Sequence, residues 1–416
     1  MRKTGHIPRR TVLGIGAAAA LGALGGRRVR AQSASTVKVA LLAPMSGPNA
    51  RNGQMMRSGA DMAIEDINKA GGIKALNGAK MELVIFDAGD SAEKAANAAQ
   101  RMVAQVPDLV GGTGAWLSSF TLAVTEVTER AELPWLTLSY SDAITARGFR
   151  YVFQMAPTAD QQAYKALPTF LDLAKQSTGK TVETVALVSD NNAAQVSFMK
   201  PIRATELQRY NLKAVTDDVY TPPLSDATAI VQRVRSGRPQ IMLMMSSNLP
   251  DTKVLLDKFS EYNLGNDKLA KMGAGGHWGA PEMGDVVGPK ILQGCMAMVA
   301  NWGGKGQEDI ARRFIERTKE PWLNQDAIMT YVDMTIFKEA LERAGVADRH
   351  KVAEAMRNLD LRDEGPARLV PSRHLKFDEK GRLVDAELVI IQWQDGQPKA
   401  IFPKATASVE PIWPKV

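Results

Sequence analysis

The chain has 416 residues with 52 Lys+Arg, 45 Asp+Glu, four histidines and one cysteine, which is long enough for two or three domains with cores of their own and excludes a disulfide-stapled scaffold. Its formal charge of +7 belongs to the first thirty-one residues, where Arg2, Lys3, Arg9, Arg10, Arg27, Arg28 and Arg30 stand without an acid. The remainder is neutral, which argues against a nucleic-acid partner held by bulk charge.

Residues 1–31 read as an export signal: a basic start, a small apolar run from Val12 to Leu24, and Val29-Arg30-Ala31 as a small-residue site, so that cleavage is expected near Ala31 and the mature protein in the periplasm. Pro8-Arg9-Arg10-Thr11-Val12-Leu13 resembles a twin-arginine signal. The apolar run is shorter than the roughly 20 residues a membrane span requires. Gly14-Ile15-Gly16 has no strand before it and is not a dinucleotide fingerprint. Cys295, inside an apolar run, reads as a buried small hydrophobe.

The body alternates short apolar runs with amphipathic stretches, the pattern of parallel βαβ units. Strands are expected at Val37–Ala43, Met81–Phe86, Leu109-Val110, Pro134–Leu138 and Tyr151–Met155, with helices at Gly59–Ala70, Ala92–Val106 and Phe120–Ala131. A second series follows the helix Ala159–Gln176: strands at Val185–Ser189, Ala214–Asp217, Gln240–Met245 and Lys271–Gly273, and helices at Ala194–Arg209, Ser225–Ser236, Asp251–Tyr262 and after Pro281. Gly294–Trp302 is a further strand leading the chain back to the first lobe, which receives helices at Asp309–Thr318, Asp326–Ala344 and Lys351–Leu359. From Arg368 the pattern turns antiparallel, with strands at Leu375–Asp378 and Leu383–Trp393 and an Asp395-Gly396 hairpin turn.

These boundaries divide the mature chain into lobe 1, residues 36–155 and 300–363, and lobe 2, residues 156–299 and 364–416. In such an arrangement the loops at the carboxyl ends of two parallel sheets face each other, which is where small ligands bind. Two jaws closing about a hinge suit capture and release better than covalent chemistry. No G-x-S-x-G elbow, H-E-x-x-H pair, phosphate loop or Cys/His metal spacing occurs. Gly112-Thr113-Gly114 does follow a strand, but Leu117 stands where a dinucleotide fingerprint needs its third glycine. The expectation is therefore of no catalytic residues, no metal and no cofactor.

Several segments recur together: Leu42-Ala43-Pro44-Met45-Ser46-Gly47-Pro48, Gly71-Gly72 after Ile67-Asn68, Gly112 to Ser119, Thr145-Ala146-Arg147-Gly148-Phe149-Arg150, and Phe377-Asp378 through Gly381 and Gln392-Trp393 to Asp395-Gly396. With the export signal, this ordered set resembles the periplasmic substrate-binding proteins of the branched-chain amino acid and amide class of ABC importers. The resemblance implies a type I periplasmic-binding fold, α/β, with two Rossmann-like lobes joined by three crossings. It also implies a monomer that is not an enzyme, takes a small-molecule ligand (amino acid, amide or organic carboxylate), and serves a membrane permease and its ATPase. A ligand-binding sensor would use the same fold. Transcriptional regulators of this architecture need an amino-terminal helix-turn-helix, where this chain has an export signal.

In that family the ligand's carboxylate is held by a serine-bearing loop, which maps onto Ser118 and Ser119. A helix start offers free amides and the positive end of its dipole to an anion, while Ser118 is also placed to be an N-cap. The family's partners for the ligand's ammonium group map onto Tyr140 and Gly275, neither of which is an acid. Asp142 and Asp190 are candidate replacements, or alternatively a turn residue and a helix cap. Trp116, Tyr140 and Trp278 fall in loops expected to face the cleft and would grip a planar ligand, so an aromatic-acid receptor of the same class is the alternative reading. Asn52, Ser141, Asn191 and His277 complete the candidate set. An ammonium ion in a closed cleft without an anionic partner is costly, so the expected ligand has a carboxylate or amide end and no obligatory α-amino group.

Overall fold

The computed structural model describes residues 36–303 and 306–414; the export signal read in residues 1–31 lies outside them. The first sheet consists of β1 (Thr36–Ala43), β2 (Lys80–Asp87), β3 (Leu109–Gly114), β4 (Trp135–Thr137) and β5 (Val152–Gln154) in the order β2-β1-β3-β4-β5. Every pairing in it is parallel. Between its strands run α1 (Ala50–Lys69), α2 (Ala92–Gln105) and α3 (Ser118–Arg130). The second half opens with α4 (Ala159–Thr178), β6 (Thr184–Asp190), α5 (Ala193–Pro201), α6 (Leu207–Arg209), β7 (Lys213–Tyr220), α7 (Thr228–Gly237), β8 (Ile241–Met245) and α8 (Leu249–Glu261). It continues with β9 (Ala270–Ala274), α9 (Pro281–Val287), α10 (Pro289–Leu292) and β10 (Met296–Val299). The chain then forms α11 (Glu308–Thr318), α12 (Gln325–Ala344), α13 (Arg349–Arg357), β11 (Asp360–Arg362), β12 (His374–Lys376), β13 (Val389–Gln394) and β14 (Gln397–Phe402). The second sheet has the order β14-β13-β10-β9-β8-β6-β7.

Strands buried on both faces explain the unbroken apolar runs: β3 and β8 carry no exposed residue, as expected of parallel strands covered by helices. The predicted helix over Ala194–Arg209 is interrupted by a π-turn at Ile202–Glu206, directly after Pro201, whose ring cannot donate to the helical ladder. The Asp395-Gly396 turn has φ of +55° and +79° and joins β13 to β14, the pairing of left-handed residues that a two-residue hairpin requires.

The chain passes between the two sheets three times, after β5, after β10 and between Ala386 and Leu388, which belong to the first and second lobe cores respectively. This corrects one boundary. Residues 364–386, assigned from sequence to lobe 2, pack in lobe 1: Leu375, Phe377 and Leu383 join its core, and Phe377 stacks edge-on against Phe153 at 5.0 Å. The reason is the open edge of β5, which an unpaired strand cannot leave exposed. Gln154 N–H donates to the Gly381 carbonyl at 2.7 Å, and Leu383 N–H returns to the Gln154 carbonyl at 3.1 Å. The predicted strand Leu383–Trp393 is accordingly split, since the third crossing runs through its middle.

α12 is the element of the returning chain that reaches the cleft. Gly59 of α1 lies so close to it that a Cβ there would stand 2.0 Å from the Ala327 carbonyl oxygen, so only glycine permits this approach. That contact sets the first turn of α12, with Gln325 and Asp326, at the junction of the lobes. Trp135 and Trp393 are core residues, and the Cys295 thiol is wholly buried and pushed up to about 11 by desolvation, which removes it as a nucleophile.

Candidate functional site between the lobes

A small cavity of about 50 Å³ lies between the loops at the carboxyl ends of the two sheets, the position at which open α/β sheets bind small ligands. Lobe 1 contributes Trp116, Leu117 and Ser118 after β3 and Leu138, Ser139 and Tyr140 after β4. Lobe 2 contributes Ala194 and Gln195 at the start of α5, Ser247 after β8, and Ala274 to His277 at and just beyond the end of β9; Gln325 closes the space from α12.

The turn after β3 is strained. Gly114, Ala115 and Trp116 all have positive φ, +125°, +64° and +60°, a conformation rare for a bulky side chain and concentrated at functional sites. Leu117 N–H donates back to the Ala115 carbonyl at 2.8 Å, closing a γ-turn on Trp116. The strain is held by two bonds: Trp116 Nε1 donates to Asp326 Oδ1 at 3.2 Å and Ser139 Oγ donates to the Trp116 carbonyl at 2.8 Å. The indole is thereby fixed along the cavity wall.

Ser118 is the first residue of α3; its N-cap is Leu117, which makes no side-chain cap. The Ser118 hydroxyl instead accepts from the backbone N–H groups of Tyr140 and Ser141 at 3.2 and 3.1 Å, lacing the two lobe 1 loops together. With both lone pairs occupied, only its proton is left to offer. The first N–H groups of α3 have no intrahelical acceptor and carry the positive end of the helix dipole. Lobe 1 thus presents donors.

Lobe 2 presents acceptors. The Ser247 hydroxyl donates to Asp190 Oδ1 at 3.0 Å and its N–H to Oδ2, leaving the Ser247 lone pairs free. His277 Nε2 lies 3.1 Å from Thr252 Oγ1, whose proton goes to the Asn248 carbonyl at 2.7 Å. His277 must therefore donate from Nε2 and keep Nδ1 as an acceptor. Burial lowers its pKa to about 3, so the ring is neutral. Gln195 is 5 % exposed and its Oε1 has no donor.

Trp116, Ser118, Tyr140, Gly275 and His277 therefore line the cavity. The other candidates stand elsewhere. Trp278 is wholly buried in the second lobe core with Trp302 and Trp393, its carbonyl accepting from Trp393 Nε1 at 2.8 Å. Asp190 lies behind Ser247 and also accepts from Asn192 N–H; burial raises its pKa. Asn191 faces solvent and donates to Thr221. Ser119 is half-buried on α3, one position round the helix from the cavity wall. Ser141 bridges the lobes at 3.0 Å from Ser197 Oγ. Asn52 donates to Asp326 Oδ2 at 2.8 Å. Asp142 pairs with Asp160 at the first crossing, where burial first and then its acidic neighbour push it up to about 7.

The sequence reading missed Gln195, Ser247, Gln325 and Asp326. Ser247 begins the loop after β8 and Gln195 lies in the first turn of α5, both just beyond the carboxyl ends of apolar strands, where the order of strands and helices could have pointed to them. The last two carry no such signal, since α12 arrives from a remote part of the chain. Gln325 Oε1 accepts from the Tyr140 hydroxyl at 2.6 Å and from Ala300 N–H, tying a lobe 1 loop to the second crossing. Desolvation, opposed by its donors Asn52, Trp116 and Gln325, raises Asp326 to about 6. It packs against Gly276, where a Cβ would stand 2.5 Å from Oδ1. Asp326 thus braces the walls from behind, and no carboxylate lines the cavity among the described residues.

Comparison with known proteins extends this description. A model of the family described as periplasmic binding protein matches residues 36–398. The leucine-, isoleucine-, valine-, threonine- and alanine-binding protein of Pseudomonas aeruginosa is 26% identical over 377 residues, 89% of this chain and 93% of the relative. The substrate-binding protein of a branched-chain amino acid transporter from Streptococcus pneumoniae, in complex with isoleucine, superposes with a TM-score of 0.74 at 17% identity, covering 88% of this chain and 98% of the other. A solute-binding protein of an ABC transporter from R. palustris, in complex with 4-hydroxybenzoate, does so with a TM-score of 0.72 at 15% identity over 92% and 98%. Among the described residues no helix is long and apolar enough to cross a membrane. With the match running through both sheets and every crossing to the start of β14, the chain belongs to the periplasmic binding protein family.

Proposed function

We propose that this protein is an exported, monomeric solute receptor that closes its lobes around a small carboxylate and delivers it to the permease and ATPase of an ABC importer. The reading is carried by the polarity of the cavity: the Ser118 proton and the start of α3 on one wall, neutral acceptors on the other. A carboxylate satisfies the first wall without any lysine or arginine. The aromatic rings of Trp116 and Tyr140 in the cavity wall support a planar acid within that class, as does the R. palustris solute-binding protein of this fold in complex with 4-hydroxybenzoate. Closure then converts binding into a shape that the permease distinguishes from the empty form. No step of this cycle requires a catalytic group in the protein.

Solution scattering with a thermal-shift screen of aliphatic amino acids, amides and aromatic acids tests the reading. A true ligand at a hundred times its Kd adds about 2.7 kcal/mol to stability and should lower the radius of gyration without altering the circular dichroism spectrum. A radius unchanged by every stabilising compound would refute closure. Export is tested separately: replacing Arg9 and Arg10 with lysine should leave precursor in the cytoplasm, whereas undiminished export would remove the twin-arginine assignment.

A further inference from the structure

Gln195 is the one cavity-lining side chain among the described residues with a buried polar atom lacking a partner. An acceptor buried without a donor is unfavourable, and polar groups left so in native proteins generally have a reason. Here the neighbours offer no relief. Ala194 and Ala274 are apolar, the Ser247 proton is committed to Asp190, and His277 donates away from the cavity to Thr252. The missing donor must arrive with the ligand. It meets the lobe 2 side of the cavity, whereas Ser118 lines the lobe 1 side, and is joined there by the His277 Nδ1 lone pair beside Gly275, where any side chain would approach that nitrogen to 3.1 Å.

We propose that Gln195 reads a neutral hydrogen-bond donor, a hydroxyl or amide N–H, at the end of the ligand remote from its carboxylate. This rests on the carboxylate reading above and deepens it. Neutral acceptors satisfy a neutral donor fully, whereas an ammonium group would enter a cavity whose nearest carboxylates, Asp190 and Asp326, are both engaged by other donors. A site built to hydrogen-bond a ligand hydroxyl rejects the analogue without it, because its own polar group is then stranded.

Calorimetry with three probes tests the assignment: benzoate, 4-hydroxybenzoate, and 4-(aminomethyl)benzoate, whose ammonium group stands remote from its carboxylate. The wild-type protein should prefer 4-hydroxybenzoate to benzoate at least tenfold. Gln195→Met should reduce that preference below twofold, the loss falling mainly on 4-hydroxybenzoate. Gln195→Glu keeps the acceptor and adds a charge, so it should raise the preference for 4-(aminomethyl)benzoate over benzoate at least tenfold relative to wild type. A preference for the hydroxyl that is absent in the wild type or survives in Gln195→Met, or no gain for 4-(aminomethyl)benzoate in Gln195→Glu, would overturn the role of Gln195 alone. Absence of binding by all three acids would overturn the carboxylate reading and this proposal with it.

Discussion

Ser118→Ala is expected to weaken carboxylate binding by ten- to a hundredfold. The substitution removes the one hydroxyl proton that lobe 1 aims at the ligand. It also strands the N–H groups of Tyr140 and Ser141, which the Ser118 oxygen accepts at 3.2 and 3.1 Å in a buried loop. A buried donor left unsatisfied costs about 1 to 3 kcal/mol, and a bond to a charged acceptor is worth a similar amount. Loss of the lacing bonds also relaxes the Tyr140 loop, so part of the effect falls on orientation of the ring. Ser119→Ala, although adjacent, should change affinity by less than about twofold, because that side chain lies off the cavity wall and no buried bond depends on it. Titration calorimetry of both variants against the ligand found by screening decides the matter. Equal losses in the two, or none in Ser118→Ala, would remove Ser118 from the site.

The second large effect is on stability as pH rises. Asp333 of α12 is completely buried against β3, with one oxygen accepting from Thr113 Oγ1 at 2.6 Å and the other without a partner. Burial pushes its carboxyl up to about 7, against about 3.9 in an unfolded chain. Below both values the group is protonated in either state and costs nothing. Between about pH 4 and 7 the unfolded chain releases the proton and the native protein does not, so stability falls by about 1.4 kcal/mol per pH unit. Above about 7 both states are ionised, and the accumulated loss is on the order of 4 kcal/mol. Asp142 and Asp326, raised to about 7 and about 6, act in the same direction. Urea denaturation of the wild type and Asp333→Asn at pH 4.5, 6 and 7.5 isolates the contribution of Asp333. The variant should gain on the wild type steadily across that interval, and parallel profiles would show that Asp333 ionises as freely in the native state as in the unfolded one.

The particular residues show why some of the site was legible in the chain and some was not. Strand and helix order followed from apolar runs and helical periodicity, because parallel strands buried on both faces leave a signal that depends only on near neighbours in sequence. The loops after β3, β4 and β9 could be placed at the cleft for the same reason, and with them Trp116 and His277, while Ser118, Tyr140 and Gly275 came from the resemblance to a known family. Whether a loop residue turns inward or outward is a different matter. Trp278 follows His277 directly, yet one lines the cavity and the other fills the second lobe core, a choice made by the packing of Trp393 and Trp302 around it and by nothing in the local pattern.

The residues alone establish a neutral two-lobed α/β body behind a basic amino-terminal segment, with a serine-bearing helix start and no acid at Tyr140 or Gly275, the positions that match the family's ammonium partners. What those groups confront is set by the folded chain. It brings α12 across to set Gln325 and Asp326 behind Tyr140 and Trp116, commits Asp190 to Ser247, and leaves Gln195 with an unmatched acceptor. It also draws residues 364–386 into lobe 1 to cover the edge of β5. These outcomes rest on contacts between segments far apart in the chain, where burial, edge pairing and the satisfaction of polar groups are properties of the assembled fold and have no periodic trace in the residues themselves.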